Sequence, residues 1–420
     1  MTTPLSRSRV WRKLLQHRPA LISLFVILAY VGAGAAVLCG WVTVEHTDAA
    51  YAAPQIPGFG LLPEPDERIE DVAWYLNRIR IPLSSLDPVE AFQNFPIEGL
   101  APADLSVAEL RARLAAADRQ LIELRHFPDI NTLVASGGSD GQQAIIQLQT
   151  LEQDSAALFT LAPGVSPAVR RIHLSLGTDR LGRSILLRAV YSIRVAILVG
   201  LVTGLLSVAT GATLGLVAGY FGGWVDVAVS WLYSTFASIP NIVLLILMVY
   251  IFREGTIDEK INNATGDLLK RLLGGVRLDE TLVPVYVAFC ATFWIGPCRV
   301  IRGEALKLRE LEYIQAARVL GYGRHRILLR HLLPNVSHLI LINFSLLFIG
   351  AIKSEVILSF LGLGVQEGAS WGLMISFAKD EVVNGFFWQI GVATVFMFGL
   401  VLAFNILSDG LQDILDPKHV

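Results

Sequence analysis

Several residue types that perform catalysis are present, but their spacing and surroundings argue against an enzyme. The segment GASWG at residues 368–372 matches the G-x-S-x-G pattern of serine hydrolases. That pattern works on a strand–turn–helix with a histidine and an acid nearby, whereas here it falls between two long apolar segments. His325, His331 and His338 lie six and seven residues apart, which is not a metal-ligand spacing, and no acidic residue or cysteine joins them on one helical face. We therefore expect no catalytic residue and no metal site.

Nucleotide chemistry is also absent from the sequence. The phosphate-binding pattern G-x-x-x-x-G-K-[ST] does not occur anywhere in the chain. If ATP drives this protein, another polypeptide must bind the nucleotide. We expect this chain to hold no cofactor of its own.

Three residues within apolar segments are candidates for lining a translocation path: Pro240, Lys353 and Glu355. Pro240 should kink or break its helix, and such breaks occur where backbone faces protein or a cavity rather than lipid. A charge at the bilayer centre costs roughly 2.5–3.5 kcal/mol, so charged groups there usually face a bundle interior or water. Lys353 and Glu355 could instead lie at the outer end of their span, where solvation is cheap.

The elements that must position these residues are predicted to be membrane-spanning helices. The chain has 420 residues, of which 53% are hydrophobic, and its mean hydropathy is +0.55. An apolar run of about 18–20 residues can cross a bilayer as a helix, and lipid forces backbone groups to pair within such a segment. We expect an all-α polytopic membrane protein with six transmembrane helices. The candidate spans are 20–42, 190–218, 225–252, 282–300, 336–363 and 388–408.

Charge asymmetry predicts which segments face the cytoplasm. Residues 1–18 hold five basic groups and no acidic group, and residues 299–330 hold eight Lys and Arg against three Glu. Residues 46–169 hold seventeen Asp and Glu against seven Arg. Because basic loops stay in the cytoplasm, we expect both termini and the 299–335 loop inside, and the acidic insert outside, in a bacterial inner membrane.

One stretch on the predicted outer side is an exception to this charge rule. Five arginines lie just before the second span, and we interpret the stretch as a helix at the membrane interface. These residues are Arg170, Arg171, Arg180, Arg183 and Arg188.

Three parts are predicted along the chain. Residues 1–45 form the cytoplasmic N-terminus and first span, residues 46–170 an acidic periplasmic insert, and residues 171–415 the transmembrane core. The first span could be a cleaved signal peptide, since small residues occur near 50–53. Its apolar stretch is about twice the length of a usual signal core, which favours an uncleaved anchor.

The insert is predicted to be a small helical subdomain, with a loosely ordered acidic loop as the alternative. Residues 66–79 and 106–128 place apolar side chains on one helical face each, and a third helical stretch covers about 142–160. Ser106 and Glu109 form a capping-box pattern at the start of the second helix.

The basic segment 312–335, EYIQAARVLGYGRHRILLRHLLPN, is too charged for lipid and too patterned for a plain connection. Residues 303–320 form a helical pattern, and Gly321 supplies a left-handed helix end. A second short helix follows, with Arg324, Arg326 and Arg330 toward water, and Pro334 ends it. We expect a helix–turn–helix knob on the cytoplasmic face.

This knob resembles the cytoplasmic "EAA" loop of ABC importer permeases, whose pattern is E-A-A, three residues, Gly, nine residues, I-x-L-P. The spacing is kept, but Gln315 replaces the acidic residue and His331 replaces the isoleucine, while Glu312 lies one turn earlier. Further segments, including LGTDRLGR, LSFLGLGVQ and AFNILSDGLQDILDP, resemble the C-type permease of the dipeptide/oligopeptide/nickel group. The resemblance is strong over 172–417 and loose over 1–42, and it says little about the insert.

The resemblance implies one N-terminal helix plus a five-helix core, and a chain that translocates solute by alternating access. It implies a second, B-type permease, two ABC ATPase subunits that hold ATP and Mg, a periplasmic or lipid-anchored solute-binding protein, and no nucleic acid. The loop 301–335 would dock on an ATPase subunit. The coupling residues it implies are Glu312, Gln315, Ala316, Ala317, Arg318, Gly321, Arg324, Leu333 and Pro334.

Short peptides or similarly sized solutes are the expected cargo. Nickel chelates, peptide-like antibiotics and oligosaccharides remain alternatives within the same class of importer. A membrane-anchored sensor or scaffold, with the acidic insert as its binding part, is the alternative from a different class, although no cytoplasmic signalling domain is present. The EAA-type loop argues against an exporter.

Overall fold

A computed structural model describes residues 17–58, 63–93, 99–162, 165–253, 282–365 and 368–415. These residues divide into two compact units. The first unit, here the membrane unit, contains the chain up to Trp41, then Ser192–Ser376, and the chain from Val395 onward. The second, here the insert unit, contains Val42–Tyr191 and Phe377–Thr394.

The described residues are mostly helical, with one two-stranded antiparallel sheet. Up to the end of the sheet, the elements are α1 (Arg18–Leu38), α2 (Val44–Asp48), α3 (Pro65–Leu83), α4 (Pro88–Gln93), β1 (Leu100–Pro102), α5 (Val107–Arg125), α6 (Ile130–Ala135), α7 (Ser139–Ala156) and β2 (Phe159–Leu161). They continue as α8 (Pro167–His173), α9 (Ile185–Phe221), α10 (Gly223–Ala237), α11 (Asn241–Arg253), α12 (Val283–Phe293), α13 (Ile295–Leu308), α14 (Glu312–Val319), α15 (Arg324–Ile327), a π-helix (Leu328–Leu332), α16 (Leu333–Phe360), α17 (Trp371–Val383) and α18 (Trp388–Leu415).

The long apolar helices confirm an all-α polytopic membrane protein. Among the described residues, five helical segments are long and apolar enough to cross a membrane: α1, α9, Val283–Leu308, Arg324–Phe360 and α18. The pair α10 and α11 passes the same test together but is bent by 90°. The bend falls at Pro240, as the sequence predicts, because proline cannot donate the helical hydrogen bond and its ring crowds the preceding turn.

A stripe of glycines on α9 packs against a helix of the same chain. A Cβ atom at Gly211 would lie 2.6 Å from the carbonyl oxygen of Trp294, and one at Gly215 would lie 2.7 Å from that of Cys298. At Gly219 it would lie 2.6 Å from Cβ of Ala305. Small residues permit such close backbone approach in membranes. The stripe is therefore explained by packing within the chain.

An ion pair joins α10 to α13 next to this stripe. Both carboxylate oxygens of Asp226 accept hydrogen bonds from Arg302, through Nε and, at 2.7 Å, through Nη2. The two side chains are only 21% and 25% exposed. Bidentate pairs of this kind fix orientation as well as adding energy, so the pair holds α10 against α13.

Replacing Asp226 with asparagine is expected to destabilise the membrane unit. The D226N variant loses the charged hydrogen bonds and leaves the Arg302 guanidinium without its partner, which should lower the unfolding free energy by about 1–3 kcal/mol. Thermal unfolding in detergent measures the change. The double variant D226N/R302Q should recover part of the loss, because it removes the orphaned charge; equal stability of D226N and wild type would show that the pair contributes nothing.

The insert is a helical subdomain with its own apolar core, as predicted. Helices α3, α5 and α7 bury Leu76, Leu121 and Leu148 together with twelve further side chains in one cluster. The capping box at the start of α5 is present, since Ser106 and Glu109 each accept the other's backbone N–H. Fifteen buried apolar side chains are incompatible with a loosely ordered loop.

The five arginines before the second span do not form one interfacial helix, and that interpretation is wrong. Arg170 and Arg171 lie on the seven-residue α8 and Arg188 lies on α9, whereas Arg180 and Arg183 lie between these two helices. Arg183 pairs with Asp179 at 2.7 Å, and Arg188, fully buried, lies 3.3 Å from a carboxylate oxygen of Asp48. Neighbouring carboxylates therefore neutralise part of this basic stretch.

Candidate functional site: the helical knob at residues 309–336

The turn between the two helices of the knob depends on a left-handed glycine. Helix α14 ends before Gly321, whose φ is +77°. The N–H of Tyr322 donates to the carbonyl oxygen of Ala317, and the N–H of Gly321 donates to that of Arg318. These two hydrogen bonds define a Schellman motif. The predicted glycine helix end is confirmed.

The helix that enters the knob is interrupted, so the prediction of one continuous helix over 303–320 is wrong. Helix α13 ends at Leu308, and α14 begins at Glu312 after an extended Leu311. The helical periodicity continues in the sequence on both sides of the break, which is why the pattern did not reveal it. The interruption separates α14 from α13.

The second helix of the knob runs directly into a membrane span, and the prediction that Pro334 ends it is wrong. Helix α15, the π-helix and α16 together form one continuous helical segment, Arg324–Phe360. The N–H of Leu333 donates to the carbonyl oxygen of Leu328 in the wider π-turn. Because the wider turn shifts the preceding carbonyl groups, the proline is accommodated near the start of α16.

The knob is packed rigidly onto the ends of the membrane helices. Ile314, Ile327 and Leu332 are fully buried, and Ala317 is 6% exposed. They belong to a cluster that also contains residues of α9, α13, the π-helix and α16, namely Ala212, Leu216, Tyr220, Ile301, Ala305, Leu308, Leu328 and Val336. A close-packed interior transmits displacement instead of absorbing it.

Two aromatic residues at the end of α9 were not predicted to belong to the site. The Arg318 guanidinium carbon lies 4.9 Å from the ring centroid of Tyr220, and that of Arg324 lies 5.8 Å from the ring of Phe221. Both distances are within cation–π range. Arg318 and Arg324 thus contact the last two residues of α9. The sequence around residue 220 contains no local pattern that would predict these contacts.

The solvent-exposed tip of the knob carries apolar side chains. Val319 is 88% exposed and Leu320 is 76% exposed. Ala316 and Glu312 lie on the exposed face of α14 as well. The buried face of the helix already contacts the protein, so these side chains are available to another molecule.

The two positions that depart from the EAA pattern make local contacts. Gln315 is exposed, and its Nε2 donates to the carbonyl oxygen of Glu310 at 3.1 Å. His331 is half-buried, with its ring centroid 6.2 Å from that of Tyr322 and 6.5 Å from that of Tyr313. His331 therefore joins the second helix of the knob to the first through aromatic contacts.

The serine of GASWG is a structural residue. Ser370 is fully buried, and its Oγ accepts the backbone N–H of Leu373 at the start of α17. It also hydrogen-bonds to Glu355, which is 1% exposed and accepts a 2.6 Å hydrogen bond from Ser359. No cluster of three metal-ligating side chains occurs in the described ranges. Glu355 and Ser370 tie the loop before α17 to α16.

The three candidate path residues lie in different surroundings. Lys353 is exposed, whereas Glu355, two residues further along α16, is buried. Pro240 lies at the break between α10 and α11 and borders a cavity of about 610 Å³ with Asn241 and Thr292. The structure does not bring the three together, and their role in a path stays a prediction.

These features define a class of protein: a polytopic helical membrane subunit, without a nucleotide-binding loop, that carries a rigid, partly exposed knob continuous with one span. Residues 211–419 match the family described as binding-protein-dependent transport system inner membrane component. The chain belongs to this family and is a permease subunit of an ABC importer.

Similar proteins include peptide permeases from several bacteria. The chain is 32% identical over 243 residues to the dipeptide transport system permease protein DppC of Bacillus subtilis, covering 58% of this chain and 68% of the relative. It is 32% identical over 256 residues to the oligopeptide permease OppC of Haemophilus influenzae, covering 60% and 73%. It is 34% identical over 244 residues to the glutathione permease GsiD of Pectobacterium atrosepticum, covering 58% and 72%.

Proposed function

We propose that this permease imports short peptides, and that its knob at residues 309–336 couples ATP hydrolysis on a partner subunit to the membrane helices. The proposed cargo follows the names of the similar permeases, which transport dipeptides, oligopeptides and glutathione. The observation that carries the coupling role is the continuous helix Arg324–Phe360, because it links the exposed knob to a span without a flexible joint.

The proposed assembly contains two permeases, two ABC ATPases and a solute-binding protein. The exposed apolar tip formed by Ala316, Val319 and Leu320 would dock in a groove of the ATPase. ATP and Mg bind to the ATPase subunits, since this chain has no phosphate-binding loop. Both termini and the knob face the cytoplasm, and the insert faces the opposite side, as the basic and acidic segments of the chain suggest.

Path-lining roles are proposed for two of the three candidate residues. Pro240 borders a cavity at a broken helix, and broken helices occur where backbone faces a cavity. Lys353 is exposed in the single chain and would face the second permease or the path between the two. Glu355 is assigned instead to holding the loop before α17.

Uptake by the reconstituted complex tests this function. Vesicles that contain this chain with its second permease, ATPases and binding protein should accumulate a radiolabelled dipeptide when ATP is supplied to the ATPase side. A non-hydrolysable ATP analogue is the control and should support no accumulation. Absence of uptake for di- and tripeptides, with accumulation of a nickel chelate or an oligosaccharide, would overturn the proposed cargo.

A further inference from the structure

A cavity of about 730 Å³ lies within the insert unit. Its size is typical of small-molecule sites, which occupy about 300–1,000 Å³. The walls come from α3, the sheet, the end of α7 and α8. Apolar lining is provided by Val72, Leu100, Phe159, Leu161 and Leu174.

One side of the cavity offers hydrogen-bond donors suited to a carboxylate. Arg170 Nη2 donates to the hydroxyl oxygen of Tyr75 at 2.7 Å, and this is the one hydrogen bond of the Arg170 side chain among the described residues. Its Nε is buried without a partner, and no carboxylate of the described chain lies within 4 Å. Burial raises the pKa of Tyr75 to about 12, so the phenol keeps its proton and can donate it.

The same cavity contains a poorly paired carboxyl group, that of Asp71. Asp71 accepts one long hydrogen bond, 3.3 Å, from the backbone N–H of Ala53 and forms no ion pair within the described ranges. Burial raises the pKa of its carboxyl to about 7, against the opposing influence of Arg170. Holding a poorly paired carboxylate in such a place reduces stability, and groups of this kind cluster at functional sites.

The other acidic residue in the lining is already neutralised. Both carboxylate oxygens of Glu152 accept hydrogen bonds from Arg68, each at 2.7 Å. Glu152 is therefore not available to a cationic ligand. The cavity presents the guanidinium group of Arg170, the carboxyl group of Asp71 and an apolar wall beside them, and the exposed Arg171 is a second cation in its lining.

We propose that this cavity binds a zwitterionic short peptide, with the peptide carboxylate at Arg170 and Tyr75 and its ammonium group at Asp71. The apolar wall around Phe159 and Leu161 accepts a side chain. The inference rests on the proposed function, because it assigns the same class of solute to a second site, on the insert. The insert would then bind cargo directly.

Binding of a dipeptide to the purified full-length chain, without ATPases or binding protein, tests this site. Equilibrium dialysis at pH 8, where Asp71 is ionised, should show saturable binding of radiolabelled Ala-Phe. N-acetyl-Ala-Phe, which lacks the ammonium group, and Ala-Phe amide, which lacks the carboxylate, should each bind at least about tenfold more weakly, the loss expected for one charged hydrogen-bonded contact.

Variants assign the two ends of the peptide. D71N should weaken the binding of Ala-Phe about tenfold. It should leave the weak binding of N-acetyl-Ala-Phe unchanged, because that ligand has no ammonium group to pair with the Asp71 carboxylate. Y75F should weaken the binding of Ala-Phe and leave the binding of Ala-Phe amide unchanged, because the amide has no carboxylate to accept a hydrogen bond from the Tyr75 hydroxyl. The matched control is D104N, which removes an exposed aspartate outside the cavity and should bind Ala-Phe as wild type does.

Folding of the key variant is checked separately. Because burial raises the pKa of Asp71 from 3.8 to about 7, its ionisation lowers the stability of the fold progressively over this pH range and fully above it, so D71N should unfold at the same or a higher temperature than wild type at pH 8. Equal binding of Ala-Phe by D71N and wild type, or no binding by wild type, would overturn the proposal. If the complex takes up peptide but the isolated chain binds none, the proposed function stands and the cavity site is wrong. If the isolated chain binds peptide but the complex takes up none, the proposed function is wrong and the cavity site is supported.

Discussion

The G321V variant is expected to lose about nine-tenths of ATP-driven peptide uptake while still inserting into the membrane. Gly321 adopts a φ of +77°, which a β-branched residue adopts only with strain. A left-handed conformation costs an L-residue roughly 1–2 kcal/mol, enough to shift a local equilibrium about tenfold. The Schellman turn would open, and the knob would no longer hold its two helices in a fixed relation.

The matched control is G323A, two residues further along. Gly323 has a φ of −59°, and a Cβ atom there meets nothing within 4 Å. G323A should therefore take up peptide at the wild-type rate to within about twofold. Membrane insertion is measured by the yield of folded chain in detergent, and normal uptake by G321V would contradict a mechanical role for this turn.

The L320D variant is expected to lose co-purification of the ATPase subunits. Leu320 is 76% exposed in the single chain, so a polar replacement removes no contact within the chain. In the docked state the same position would be buried against the partner, and a buried unpaired carboxylate at an interface costs several kcal/mol. We expect at least a tenfold loss of bound ATPase and a matching loss of uptake.

L320M separates apolar docking from a general effect of substitution. Methionine keeps the apolar surface and adapts to irregular grooves, so L320M should retain the ATPases. The amount of ATPase per permease after affinity purification is the readout. If L320D retains as much ATPase as L320M, the tip of the knob is not the docking surface.

Local patterns predicted those parts of the fold that depend on local chemistry. The apolar faces of α3 and α5 and the left-handed Gly321 each follow from residues within a few positions. Pro334 led to a wrong prediction, because proline usually ends or breaks a helix and the local sequence gives no reason to expect otherwise. Its accommodation depends on a π-turn at Leu328–Leu332, for which the sequence has no simple signal.

Features built from distant residues could not be predicted. Arg170 donates to Tyr75 across 95 positions, and Arg302 pairs with Asp226 across 76. Ser370 and Glu355 were each singled out from the sequence, the first as a hydrolase pattern and the second as a charge at membrane depth. Only the fold reveals that they satisfy each other, because hydrogen bonding makes a buried polar pair tolerable.

Site-specific photo-crosslinking from the knob tests the central claim most directly. A benzoylphenylalanine placed at Leu320 in the assembled complex should form its adduct with an ATPase subunit. The same probe at Leu86, a fully exposed position of the insert, should form none. An ATPase adduct from position 86, or none from position 320, would contradict the assignment of the knob as the coupling element.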